Sequence, residues 1–216
     1  MIRAVLLLPA LCACSFDPAG GAASSNDAAA APDAAGDASG PSGDGGAPRP
    51  THLLLTEVKT NPLATEFIEI YNASCTPVDL SDYYLTDSPV YPLLPSWGDT
   101  PPVLPHQDAV LRFPDGAVLG AQQVAVIARS ETGFVGAYTS APDYAVTGAT
   151  LAGAMTLVAR GDTADVELRN VGEMVALFSW DGASDLVQDV DLVIAGDAPI
   201  AGDGIAGKQS MAPSGV

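Results

Sequence analysis

Two textures divide the chain. Between Asp17 and Pro50 there is no Val, Ile, Leu, Met, Phe, Tyr or Trp. From Thr51 onward, apolar and polar residues alternate in short bursts. Leu53 to Val58 reads as a first strand and Glu66 to Tyr71 as a second. In the second, Ile68 and Ile70 share one face while Phe67, Glu69 and Tyr71 share the other. Val78 to Leu85 is a third, weaker strand, broken at Ser81-Asp82. Ala109 to Phe113 is a fourth. Pro114-Asp115-Gly116 then reads as a turn, with Pro at a first central position and Gly supplying positive φ. Gln123 to Ala128 is predicted to pair back as the fifth. Residues 131–138 suit one or two helical turns, and Met155 to Val158 a short strand. Glu173 to Trp180 and Leu186 to Ile194 form a hairpin across Asp181-Gly182. Short strands separated by polar turns predict an all-β sandwich.

Two inserts interrupt this rhythm. Ser88 to His106 carries six prolines around Trp97, which makes it a candidate binding loop. Thr139 to Gly153 reads as a second loop. Residues 196–216 return to Ala, Gly and Pro and read as an irregular tail outside the 51–195 domain.

The N-terminus adds an address. Residues 1–13 place Arg3 before a short apolar run, too short to span a bilayer but suited to export. The run ends in Leu11-Cys12-Ala13-Cys14, which resembles a bacterial lipobox. The resemblance implies acylation of Cys14 and a membrane held through an N-terminal lipid anchor. Ser15 after the anchor fits sorting to the outer membrane or cell surface. Residues 14–50 have nothing to bury and read as a disordered Ala/Gly/Pro/Ser/Asp linker. Its span is about 30 Å as a coil and about 110 Å fully stretched. Cysteine counting follows from this address. Cys12 leaves with the signal and Cys14 carries lipid, so no intramolecular disulfide is expected. Cys75 then reads as a small, partly buried side chain, or as half of an intermolecular bridge.

Charge narrows the partners. The chain has 26 Asp+Glu against 8 Lys+Arg, a net charge of −18. Such a surface offers no basic footprint for phosphate, so nucleic acid is excluded as a partner class. Electrostatic docking on anionic lipid is disfavoured for the same reason.

The strand motifs carry a family resemblance. Leu55-Thr56-Glu57-Val58 precedes Asn61-Pro62. Then come Glu66-Phe67-Ile68-Glu69-Ile70-Tyr71-Asn72 and Val78-Asp79-Leu80-Ser81-Asp82-Tyr83-Tyr84-Leu85-Thr86-Asp87. Together they resemble the lamin tail domain. Phe113-Pro114-Asp115-Gly116, the strand Val124 to Ala128, and Asn170-Val171-Gly172-Glu173 stand where that family has a hairpin, an aliphatic strand and a turn. Asp82 and Tyr83 depart from the family's usual Gly and Trp. The resemblance implies an immunoglobulin-like β-sandwich that binds or tethers rather than catalyses.

The chain's chemistry is thin. The histidines are His52 and His106 alone, and neither sits in a nucleophile or zinc motif. No catalytic residue, cofactor or metal ligand is assigned. Glu57, Glu66 and Glu69 lie on or beside strands. For Glu57 and Glu69 in particular, structural hydrogen bonding is expected, with loop N–H groups or Arg112 as donors. Asp181, Asp185, Asp189 and Asp191 form the densest acidic cluster and read as a solvated face. Calcium is the alternative there, although EF-hand spacing is absent. The expected function is a non-catalytic, membrane-anchored module that binds a protein or glycan partner. The alternatives are a purely structural envelope spacer and a calcium-dependent binder.

Overall fold

In a computed structural model of the chain, the described residues are 53–104, 107–162, 165–170 and 172–196. The signal, linker and tail expectations, together with His52 and His106, lie outside them.

Two five-stranded sheets face each other. The first half of the chain supplies β1 (Leu53–Lys59), β2 (Phe67–Asn72), β3 (Val78–Asp79), β4 (Tyr83–Thr86), β5 (Ala109–Arg112) and β6 (Val118–Leu119). The second supplies β7 (Val124–Ser130), α1 (Glu131–Tyr138), β8 (Tyr144–Thr147), β9 (Gly153–Ala154), β10 (Thr156–Arg160), β11 (Gly172–Ser179) and β12 (Gln188–Gly196). One sheet runs β1-β2-β7-β8-β9 and the other β10-β5-β4-β11-β12, while β3 and β6 form a small ribbon. The all-β sandwich expected from the strand pattern is the fold.

Alternation sets the faces. Leu53, Leu55, Ile68, Ile70, Ala125 and Ile127 point from the first sheet into the core. Leu85, Leu111, Val175 and Leu177 meet them from the second. The opposite face of β2 places Phe67 under α1, edge-on to Phe134 at 5.7 Å between ring centres. Ser130 caps that helix, its hydroxyl accepting from the Gly133 amide. Gly133 is required there, because a Cβ would stand 1.8 Å from the Ala64 carbonyl oxygen.

The connections differ from expectation in three places. The strand predicted to pair back on the fourth crosses instead to the other sheet. Here β7 pairs antiparallel with β2 and parallel with β8. The turn at Pro114-Asp115-Gly116 does form, with Gly116 at φ 77°, but it feeds the short β6, which pairs with β3. The residues between β6 and β7 are what let the chain change sheets. The second insert is not merely a loop, since β8 and β9 extend the first sheet through parallel pairing. Their run is too short and too mixed to show a period in sequence.

The third difference concerns Cys75. It is disulfide-bonded, where the cysteine count predicted no intramolecular bridge.

Candidate functional site

The proline-rich insert is built on packing. Its middle forms a short 3-10 helix, Tyr91–Ser96. Tyr91 and Leu94 are buried there and join Tyr84, Val110, Ala176 and Phe178 on the outer face of the second sheet. The Tyr91 ring lies 4.8 Å from that of Phe178, and its hydroxyl donates to Asp189 at 2.7 Å. Burial pushes the Tyr91 phenol up to about 12. Trp97 caps the helix and is half-buried against the same cluster. Much of its ring is therefore committed to the fold.

The later part of the insert is more open. Pro101, Pro102 and Val103 stand exposed, Val103 at 73%. Opposite them runs β10, the edge strand of its sheet. Leu104 joins the two sides, donating its amide to the Arg160 carbonyl at 2.9 Å. Between Pro101-Pro102-Val103 and the Leu157–Asp162 stretch lies an open cleft of about 610 Å³. A bulge between Leu157 and Ala159 interrupts the β10 ladder, and bulges of this kind commonly protect an edge strand.

The aspartate-rich hairpin separates into independent roles. Asp181 accepts from the Ala183 and Ser184 amides and the Ser184 hydroxyl. These bonds hold its carboxyl down to about 2 and fix the turn. Asp189 holds Tyr91. Asp191 accepts from the Leu55 amide at 2.7 Å and so links β12 to β1. Asp185 is exposed. Among the described residues no group of three or more His, Cys, Asp or Glu is placed to hold a metal ion.

The strand glutamates also diverge. Glu57 is exposed, contrary to expectation, because the bulge after Leu55 turns it outward to face Glu69 across the ladder. Glu69 accepts from the Thr56 hydroxyl at 2.6 Å. Glu66 is the buried member, 1% exposed. It accepts from the Leu168 amide at 3.2 Å, and its cationic neighbour is Arg129 at 3.9 Å rather than Arg112. Burial raises its carboxyl to about 7, against the opposing pull of Leu168 and Arg129. Arg112 instead pairs with Asp115 and Asp82.

Motif residues of the second strand and the following turn serve the fold. The Asn72 side chain donates to the Thr76, Leu119 and Gly120 carbonyls. Asp79 accepts from the Ser81 amide and hydroxyl, which tightens the turn before β4. The family model of the lamin tail domain matches residues 47–182. The chain belongs to the lamin tail domain family. At its departures, Asp82 and Tyr83, the Tyr83 amide closes a turn onto the Leu80 carbonyl.

Comparison with curated proteins finds no match. Among solved structures, the chain is similar to a DUF4876 family protein from Bacteroides thetaiotaomicron. The two share 14% identity at a TM-score of 0.46, over 66% of this chain. This chain spans about half the length of that protein, 53%.

Sequence reasoning missed Glu131. Its carboxylate gathers the Thr150, Leu151 and Ala152 amides and the Thr150 hydroxyl. The Thr150 hydroxyl leads these bonds in holding it down to about 2. An acid directly after a Ser cap was the available signal.

Proposed function

We propose that this lamin tail domain is a non-catalytic binding module, held to a membrane through lipid on Cys14, that engages a protein partner at the cleft beside β10. The observation that carries this reading is the cleft itself. Exposed Pro101, Pro102, Val103 and Leu157 line it, and none of the four is consumed by the core. Rigid proline and branched apolar surface suits an extended peptide segment, because little side-chain freedom is lost on contact. A glycan partner is less well matched, since the half-buried Trp97 leaves little flat aromatic surface free. The linker of residues 14–50 would let the domain reach such a partner away from the bilayer.

Two experiments test this reading. Palmitate labelling of the full chain should mark the wild type and not Cys14→Ser; an unlabelled wild type contradicts the anchor. The double variant Val103→Asp, Leu157→Asp should fold normally, since both side chains are exposed. It should also lose the protein that co-purifies with the wild type from membranes. Retention of that protein contradicts the assigned surface.

A further inference from the structure

A second feature lies between the sheets, away from the β10 cleft. Residues 165–170 cross one end of the sandwich without joining a strand ladder. Side chains hold them there. The Leu168 amide donates to Glu66 at 3.2 Å and the Arg169 amide to Glu173 at 2.6 Å. Arg129 donates to the Val166 carbonyl at 2.5 Å and to Asp165 at 3.3 Å. Gln107 donates to Glu167 at 2.9 Å. Beneath this strap lies a cavity of about 40 Å³, lined by Glu66, Asp87 and Arg129 among apolar side chains that include Leu85, Ile127 and Leu168. That is room for very few waters.

Two carboxyl oxygens in this lining, Oε1 of Glu66 and Oδ2 of Asp87, have no hydrogen-bond partner among the described residues. Both side chains are more than nine-tenths buried. An ionised carboxylate so placed carries a large desolvation cost. Its charged neighbours mostly add to that cost. Glu66 is faced by Arg129 from β7, Glu167 from the strap and Glu173 from β11. Asp87 is faced by Glu173 and by Asp108, which precedes β5. Glu173 is faced by Asp108 and by Arg169 of the strap. The cations are two arginines, Arg129 bonded to the strap and Arg169 within it.

We propose that residues 165–170 are a proton-controlled latch: they close the end of the sandwich while Glu66 and Asp87 are neutral, and lift when these ionise. A neutral carboxyl gains an O–H donor and sheds the cost of a buried charge, so a water in the small cavity can satisfy it. An ionised pair gains most by admitting bulk water. The strap is the part of the wall that can yield, because no strand ladder holds it. Burial raises Glu66 and Glu173 to about 7 and holds Asp87 well above its ordinary value. Amide donors from the strap oppose these shifts without cancelling them.

Hydrogen exchange on the full chain tests the latch, with intrinsic rates corrected at each pH. Protection of the Leu168 and Arg169 amides should fall by about tenfold or more between pH 5.5 and 8.5, while Ile68 and Ile127 in the ladder keep theirs. In Glu66→Gln, protection at pH 8.5 should stay within about threefold of its pH 5.5 value. Asp87→Asn gives the same readout should Glu66→Gln fail to fold. Wild-type protection that does not depend on pH overturns the proposal. So does a folded variant that loses protection as the wild type does.

Discussion

At the scale of single residues, phase along a strand decides what a polar side chain must do. Glu66 is in phase with Ile68 and Ile70, Asp87 with Leu85, Glu173 with Val175 and Leu177, and Arg129 with Ala125 and Ile127. Each of those apolar partners belongs to the core. The same alternation that marked the core therefore also marked the buried charges, and Arg129 was readable as the partner of Glu66. Arg112 was the wrong choice because it follows Leu111 and so faces outward. Glu57 could not be placed, because a bulge shifts the phase and bulges leave no period in sequence. Gly133 and Gly136 give a test at this scale. Gly133→Ala should cost about 1–3 kcal/mol, because the Ala64 backbone must move. Gly136→Ala meets nothing within 4 Å and should be neutral or add up to about 1 kcal/mol. Urea unfolding of both variants measures the contrast.

At the scale of elements, the longer strands were legible, and the β11–β12 hairpin with them, but the other strand partners were not. Boundaries of β1, β2, β5, β11 and β12 follow directly from apolar alternation. Pairing depends on which sheet a strand enters, and the turn after β5 resembles an ordinary hairpin whichever sheet follows. The proline-rich insert was legible as an interruption but not as a cover, because a 3-10 helix of six residues has too few turns to show a face. In the fold it buries Tyr91 and Leu94 nearly as deeply as the core strand residues, at 2% and 4% exposed. Leu94→Ala should therefore cost about 2–4 kcal/mol, as in a core. A cost under about 0.5 kcal/mol would show that the insert is only draped over the sheet. Removing the whole of Ser88 to His106 would uncover the outer face of the second sheet, so it would not isolate the contact surface.

At the scale of the whole molecule, the acidity acquires an internal part. The net charge of −18 suggested a solvated surface, yet several acids lie inside. Their effect on stability has a definite sign. Glu66 and Glu173 have folded values near 7 against an ordinary 4.5. Folding therefore retains protons that the unfolded chain has released, and this stabilisation is present below about pH 4.5 and lost as pH rises toward 7. Glu131 and Asp181 act in the opposite sense. Their values near 2 contribute stability above their ordinary range, which is lost as pH falls through it. The melting temperature should peak near pH 5 and fall by several degrees by pH 8. A plateau through pH 8 would contradict the assignment of the buried acids, and calorimetry across this range decides it.

The functional reading rests on the cleft between the insert and β10, and site-specific photocrosslinking in the native membrane tests it most directly. A benzophenone side chain placed at Val103 or at Leu157 should yield the same discrete protein adduct. The probe at Leu186, exposed on the distant hairpin, should yield none. Adducts of equal pattern at all three positions, or none at Val103 and Leu157, would contradict a binding role for this surface.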